Sequence, residues 1–416
     1  MSMLKKVENQ INSTFNKLPG LKKYVKRSYQ LAMYSVSSKI KAEGDIERIS
    51  PKDGMEYFFG YYDKSPWNAD ERFLVCLRAK NTTKSTAPKE KAEIVLIDTE
   101  NENEITVLAK TSTWNVQQGC MLQWLGPNFD EEIIFNDFRD GSYCSVIMNI
   151  NTKVEKVIDS PVYSVSPKGD YALTLDFSRL HSLREGYGYS NLVENTIGQK
   201  LPENPCIWSI NLKTNELKPY LNYKDFFNFE TRDEMIEAEH KVNHIMISPD
   251  GKKFMVLHRW INGSKRYSRL LTINMEDKKM YNLLDDNMVS HCYWKNNNEI
   301  IAYARKEREG NGYFLLKDKT NDYKKVWEEL IADGHPSFSP DGKKAVTDTY
   351  PNRSRIASVY LIREEEVKTI ARVHAPFKYD NNFRCDLHPR WNRSSSKICI
   401  DSVFEGKRGL YIINLY

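Results

Sequence analysis

From residue 56 onward the chain repeats one pattern: a short apolar run, a turn rich in Pro, Asp, Gly and Asn, a second apolar run, then a third. The turn is the clearest landmark. It reads Ser65-Pro66-Trp67-Asn68-Ala69-Asp70, Trp124-Leu125-Gly126-Pro127, Ser166-Pro167-Lys168-Gly169, Ser248-Pro249-Asp250-Gly251, Trp294-Lys295-Asn296-Asn297-Asn298, Ser339-Pro340-Asp341-Gly342 and Trp391-Asn392-Arg393-Ser394-Ser395. Pro presets φ for such a turn and Gly accepts positive φ. Runs such as Phe73-Leu74-Val75-Cys76-Leu77 and Phe254-Met255-Val256-Leu257 follow as second strands. Glu93-Ile94-Val95-Leu96-Ile97 and Leu410-Tyr411-Ile412-Ile413 are among the third. Short strands with frequent turns, repeating every forty to fifty residues or so, are the signature of propeller blades. The expected fold is therefore all-β: a seven-bladed β-propeller over residues 46–416. A pair of β-sandwiches is the alternative, but seven equivalent units fit radial closure better.

Residues 1–45 follow another rule. After Pro19-Gly20, the apolar positions Leu21, Tyr24, Val25, Tyr29, Ala32, Met33 and Val36 recur mostly at three- and four-residue steps, with Lys22, Lys23, Lys26 and Arg27 largely on the other side. This spacing predicts an N-terminal amphipathic α-helical extension. Residues 1–41 carry a net charge of +8, which leaves −3 for the remainder. A basic head on a mildly acidic body speaks against nucleic acid as a partner. It suits contact with an anionic membrane surface or with membrane-bound glycan assembly proteins; the alternatives are packing on the protein's own body and disorder. The seven cysteines are odd in number and lack CxxC spacing, so reduced core residues are expected rather than a disulfide framework or zinc knuckle. With no long apolar run and no signal-peptide pattern, the expected location is cytoplasmic, peripheral on the inner face of the membrane.

Certain side chains repeat with the blades. His244 and His335 each stand four places before the Ser of a turn, and aligning the turn tryptophans puts His291 and His388 in the same register. Equivalent positions in stacked repeats lie at equivalent heights, so these imidazoles should converge on one rim of the channel. Tyr61, Tyr62 and Asp63 in the first unit, and Gln117 and Gln118 in the second, fall near that register. Such a ring suits a divalent metal, metal-free catalysis or sugar binding, or a purely structural role. A second ring lies at the ends of second strands: Arg78, Asn136-Asp137-Phe138-Arg139, Asp176-Phe177-Ser178-Arg179, His258-Arg259-Trp260, Arg305, Asp348-Thr349-Tyr350 and Asp401-Ser402. Its arginines suit carboxylated sugars or phosphate, the alternative being salt bridges between blades. Insertions over 176–205 and 222–240 are expected over a functional face. No Gly-rich phosphate loop, Gly-x-Ser-x-Gly elbow or His-Glu-x-x-His occurs, so a nucleotide cofactor, an ordinary nucleotide-sugar transferase and a serine hydrolase are not indicated.

The pattern His-x-x-x-Ser-Pro-Asp-Gly, with Asn136-Asp137-Phe138-Arg139-Asp140-Gly141-Ser142, resembles the oligogalacturonate lyase family and related TolB-like propellers over residues 56–416. In that family a ring of His and Gln binds manganese at the channel mouth, and uronic-acid oligosaccharides are cleaved by β-elimination. The resemblance implies a divalent metal on His244, His335, His388 and Gln118, with Arg259 or Arg139 as carboxylate clamp or base. Phe59-Gly60-Tyr61-Tyr62-Asp63-Lys64-Ser65-Pro66-Trp67 also looks like proteins encoded among bacterial surface-polysaccharide genes, often loosely labelled glycosyltransferases. The expectation is a carbohydrate-active enzyme acting on an acidic oligo- or polysaccharide or its precursor. In it, His335, Arg259, Arg139 and Tyr62 do chemistry, while Asp63, Lys64, Arg78, Gln117, Arg179, His258 and Arg390 hold substrate. The alternatives are a non-catalytic scaffold that binds glycan or protein at the membrane, and an unusual glycosyltransferase-associated protein.

Overall fold

The computed structural model describes residues 19–36, 41–84 and 87–415. Seven antiparallel sheets form the blades of a propeller. Blade 1 consists of Glu56–Phe58, Phe73–Ala79, Ala92–Asp98 and Glu104–Thr111; blade 2 of Gln123–Trp124, Glu132–Arg139, Ser142–Asn149 and Glu155–Ile158; blade 3 of Ser164–Val165, Tyr171–Leu175, Pro205–Asn211 and Glu216–Asn222. Blade 4 comprises Glu239–Ile247, Lys253–Asn262, Lys265–Asn274 and Met280–Leu284, and blade 5 Val289–Trp294, Glu299–Lys306, Gly310–Lys317 and Tyr323–Val326. Blade 6 is built from Ser337–Phe338, Lys344–Asp348, Ile356–Arg363 and Glu366–His374. Blade 7 has only three strands late in the chain, Arg390–Trp391, Lys397–Ser402 and Gly409–Asn414; its outer strand is Ile46–Arg48, paired antiparallel with Tyr411 to Ile413. The start and end of the barrel are thereby sewn together. Just before that strand, Ala42–Glu43 adds a fifth strand to blade 6.

Each expected turn joins the first and second strands of its blade. At Ser248 the hydroxyl donates to Asp250 at 2.7 Å and the carbonyl accepts from Gly251 N–H at 2.9 Å, with Gly251 at φ +70°, and Ser339 to Gly342 repeats the arrangement. Second and third strands are buried on both faces, as in Leu74 to Leu77 and Phe254 to Leu257, because each blade is covered by its neighbours. The turn tryptophans bolt blades together. The indole N–H of Trp124 donates to Pro66 O of blade 1 at 2.7 Å, and that of Trp294 to Met246 O of blade 4 at 2.9 Å. All seven cysteines are free and buried, as expected.

The helix Pro19–Val36 begins on a proline, whose missing N–H is no loss at a first turn. Its described side chains dock on the propeller: Arg27 pairs with Asp380 at 2.9 Å beneath its contact with Phe377, and Tyr34 stacks on His374. Tyr24 and Leu31 face outward. Among the described residues no helix is long and apolar enough to cross a membrane. The 176–205 insertion contains the helix Phe177–Leu183, N-capped by Asp176, and the 222–240 insertion contains the helix Tyr223–Asn228.

Candidate functional site

The four register histidines do converge. Ring centroids are 5.6 Å apart for His244 and His291, 4.3 Å for His291 and His335, and 4.3 Å for His335 and His388. Asp348, at the end of a blade 6 strand, organises two of them. Its Oδ1 accepts from the backbone N–H and the Nδ1–H of His335, both at 2.8 Å, and its Oδ2 accepts from His388 N–H at 3.0 Å. This approach requires Gly334, since a Cβ there would lie 1.9 Å from Asp348 O. His388 donates from Nδ1 to Gly60 O at 2.6 Å. With Nδ1 as donor on both rings, Nε2 carries a lone pair on each ring in its neutral form. These two Nε2 atoms and Asp386 Oδ2 are buried without a hydrogen-bond partner. The three residues also form a group whose ligand atoms all lie within 4.8 Å of one another. Two imidazoles and a carboxylate, with tautomers fixed by backbone and carboxylate partners, are a donor set that suits a divalent transition metal. His244 and His388 sit at φ +55° and +45°, a region that non-glycine residues rarely occupy.

Burial and the like-charged neighbour His291 push the His244 pKa well down; burial and His335 do the same to His388. Burial also lowers His291, against the pull of Asp333, whose carboxylate accepts from His291 Nδ1–H at 3.0 Å and from Ser290 Oγ–H at 2.6 Å. Only His335 is raised: burial opposes its charge, but Asp348 outweighs burial.

Above the imidazoles opens a cavity of about 400 Å³ lined by Arg184, His244, Arg259, His291, Tyr350 and Arg384, among others, with Gln30 of the N-terminal helix at its edge. Arg184 sits at the C-cap of the insertion helix and lies over Tyr187. Arg384 pairs with Asp386 at 2.7 Å and lies over the Tyr350 ring. Arg259 donates to Asn243 Oδ1 at 3.0 Å and Ser290 O at 3.2 Å. Beside it, Lys241 is 7 % exposed, and burial followed by Arg259 and Arg184 brings its pKa down to about 7 from an ordinary 10.5. Between these values the unfolded chain binds a proton that the folded one does not. Stability is therefore expected to rise with pH from about 7 to about 10.5 through this group. Chemical denaturation across that range should show the slope, and Lys241→Met should flatten it.

With this geometry in view, an oligogalacturonate lyase solved in complex with manganese superposes with a TM-score of 0.65 at 15% identity, covering 91% of this chain and 95% of that one. The Vibrio parahaemolyticus oligogalacturonate lyase gives 0.61 at 11% identity, over 89% and 93%. The propeller domain of the Pyrococcus furiosus Trilobed protease gives 0.51 at 11%, over 85% and 95%. No family model matches the chain, and no curated protein matches it in sequence. The chain has the fold of the oligogalacturonate lyase propellers.

The cluster differs in membership from the expected His244, His335, His388 and Gln118. His335 and His388 meet, but the third atom comes from Asp386. The His244 ring nitrogens lie 3.0 Å from the Tyr61 hydroxyl, and Gln118 donates its amide to Tyr163 OH at 3.0 Å while its Oε1 stays buried and unpartnered. Of the residues expected to be catalytic, His335 falls in the cluster and Arg259 lines the cavity. Tyr62 is not free to move a proton: its hydroxyl donates to Cys292 O at 2.8 Å and accepts from Cys292 N–H at 3.2 Å. Arg139 is held away from the cluster by Asp137 and Glu155 at 2.9 and 2.8 Å.

Among the expected substrate contacts, Gln117 supports the site indirectly, donating to Arg384 O at 3.1 Å. Asp63 and Lys64 pair with each other at 2.7 Å and line the opposite mouth of the channel, a separate cavity of about 590 Å³. The remaining expected substrate contacts are in structural pairings. Arg78 binds Glu93; Arg179, 2 % exposed, binds Glu194 at 2.6 Å and His240 O at 2.8 Å; His258 bonds to His240 and Arg269; Arg390 binds Asp401 at 2.9 Å and the carbonyls of Gly60 and Tyr61. Asp333, Asp386, Arg184 and Arg384 are site residues that the sequence analysis did not single out. The first two had a signal in Asp333-Gly334-His335 and Asp386-Leu387-His388, an Asp-x-His repeated in adjacent units.

Proposed function

We propose that the protein is a carbohydrate-active enzyme that cleaves an acidic glycan by β-elimination at this mouth of the channel. The observation that carries the reading is the set of three buried, unpartnered ligand atoms, with His335 packed on His291, which lines a cavity together with Arg259, an arginine bonded only to neutral oxygens. The manganese complex of the lyase neighbour supports it. A divalent cation held by His335, His388 and Asp386 would supply positive charge beside the uronate carboxylate, making the adjacent C–H more acidic. Arg259 and Arg184 draw the acidic chain into the mouth and orient it. His291, fixed through Nδ1 by Asp333, lines the cavity with its Nε2 3.5 Å from the Tyr350 hydroxyl, and is the group that takes the proton. The C–H electron pair becomes the new C=C as the glycosidic C–O bond breaks, and the departing oxygen takes up a proton.

The test is incubation with uronic-acid oligosaccharides and manganese, following the ultraviolet absorbance of the unsaturated product. Cation-dependent product supports the reading; a protein that binds the cation yet produces no unsaturated sugar from any uronic-acid glycan overturns it. Arg259→Gln is expected to raise KM about ten- to hundredfold with a smaller change in kcat, as loss of a charge-assisted contact made in ground and transition states alike. Steady-state kinetics check this.

A further inference from the structure

The mouth holds more positive charge than its own carboxylates balance. Arg259 of blade 4 and Arg184 of the insertion line the same cavity, and Lys241, which is not itself part of the lining, stands opposite Arg259 on the neighbouring strand. Arg259 bonds only to neutral oxygens, and among the described residues neither Arg184 nor Lys241 has an ion-pair partner. The groups that act on Lys241 are Arg259, Arg184 and Arg266, with Glu239 the one acid and the weakest influence. A lysine that is 7 % exposed, with no hydrogen-bond partner among the described residues and guanidinium groups around it, is costly to keep unless an anion comes to it. One uronate carboxylate would balance one of three cations. A phosphate-type group carries close to two charges and offers separate oxygens to each donor.

We propose that Arg184, Lys241 and Arg259 form a subsite for a dianionic, phosphate-type group on the substrate. This deepens the reading of the mouth as an acidic-glycan site and rests on it. In the free protein the arginines favour the neutral amine of Lys241; an arriving dianion reverses the local field, so binding draws a proton onto the lysine.

The test is calorimetric titration of the full chain with inorganic phosphate and a metal chelator, at about pH 8, in two buffers that differ in heat of protonation. The parent is expected to bind phosphate with uptake of up to about one proton. Lys241→Met and Arg184→Gln should each weaken binding about ten- to hundredfold, and Lys241→Met should abolish proton uptake. Lys241→Arg should keep the binding and lose the uptake, and thermal unfolding of each variant verifies folding. No phosphate binding by the parent, equal affinity in parent and variants, or galacturonate binding as tightly as phosphate overturns the proposal. Because no cation and no turnover enter the measurement, its failure is separable from failure of the elimination chemistry.

Discussion

His335→Ala is expected to weaken divalent-cation binding by more than about 100-fold, since loss of a residue that only orients a ligand already costs about 10- to 100-fold. Elimination activity should fall with it. His335 contributes one of three unpartnered ligand atoms, and nothing else among the described residues replaces it within that group. Asp348→Asn is the milder case: it keeps the ligand but disturbs the carboxylate that fixes its tautomer, so about 10- to 100-fold is expected. Manganese titration followed by electron paramagnetic resonance checks both. A cation affinity unchanged in His335→Ala would remove the site.

The second large effect is on stability. Arg390→Met should destabilise the fold by about 3–5 kcal/mol, the usual result of leaving a buried partner charge uncompensated. Arg390 is fully enclosed, and its guanidinium joins Asp401 within blade 7 to Gly60 O and Tyr61 O of blade 1. Asp401 in turn accepts from Phe59 N–H at 3.2 Å. The same Gly60 carbonyl receives His388 Nδ1–H, so this substitution disturbs the cluster as well as the ring closure. Arg390→Met with Asp401→Leu should recover part of the loss, because the orphaned carboxylate goes with its partner. Denaturant unfolding of the two variants checks the order; equal stability of Arg390→Met and the parent would contradict it.

The repeat made the architecture legible. Seven turns with Pro, Asp and Gly at set places, each followed by β-rich runs, leave radial closure as the economical arrangement, and a histidine in fixed register within a repeat must land at a fixed height. The source of blade 7's outer strand was less visible: Ile46-Glu47-Arg48 is short, precedes the repeat and shows its purpose only beside Tyr411 to Ile413. The site was half legible. His244, His291, His335 and His388 could be placed because the blade sets their position. The partners of the arginines could not, because nothing in the repeat says whether a carboxylate is waiting: Arg139 finds Asp137 and Glu155 within its own blade, Arg390 finds Asp401 within its own, and Arg259 finds only neutral oxygens. Arg179 finds Glu194, from the same insertion. Arg184 came from that irregular insertion too, where no repeat fixes direction. Asp386 escaped notice because its role depends on meeting His335 from the adjacent blade.

A divalent cation bound among His335, His388 and Asp386 at the mouth of the channel is the proposal on which the chemistry rests. A crystal of the full chain grown with manganese, with diffraction collected at the metal's absorption edge, tests it most directly. One strong anomalous peak within bonding distance of His335 Nε2, His388 Nε2 and Asp386 Oδ2 is expected. A cluster without a peak, or a peak elsewhere in the channel, would contradict it.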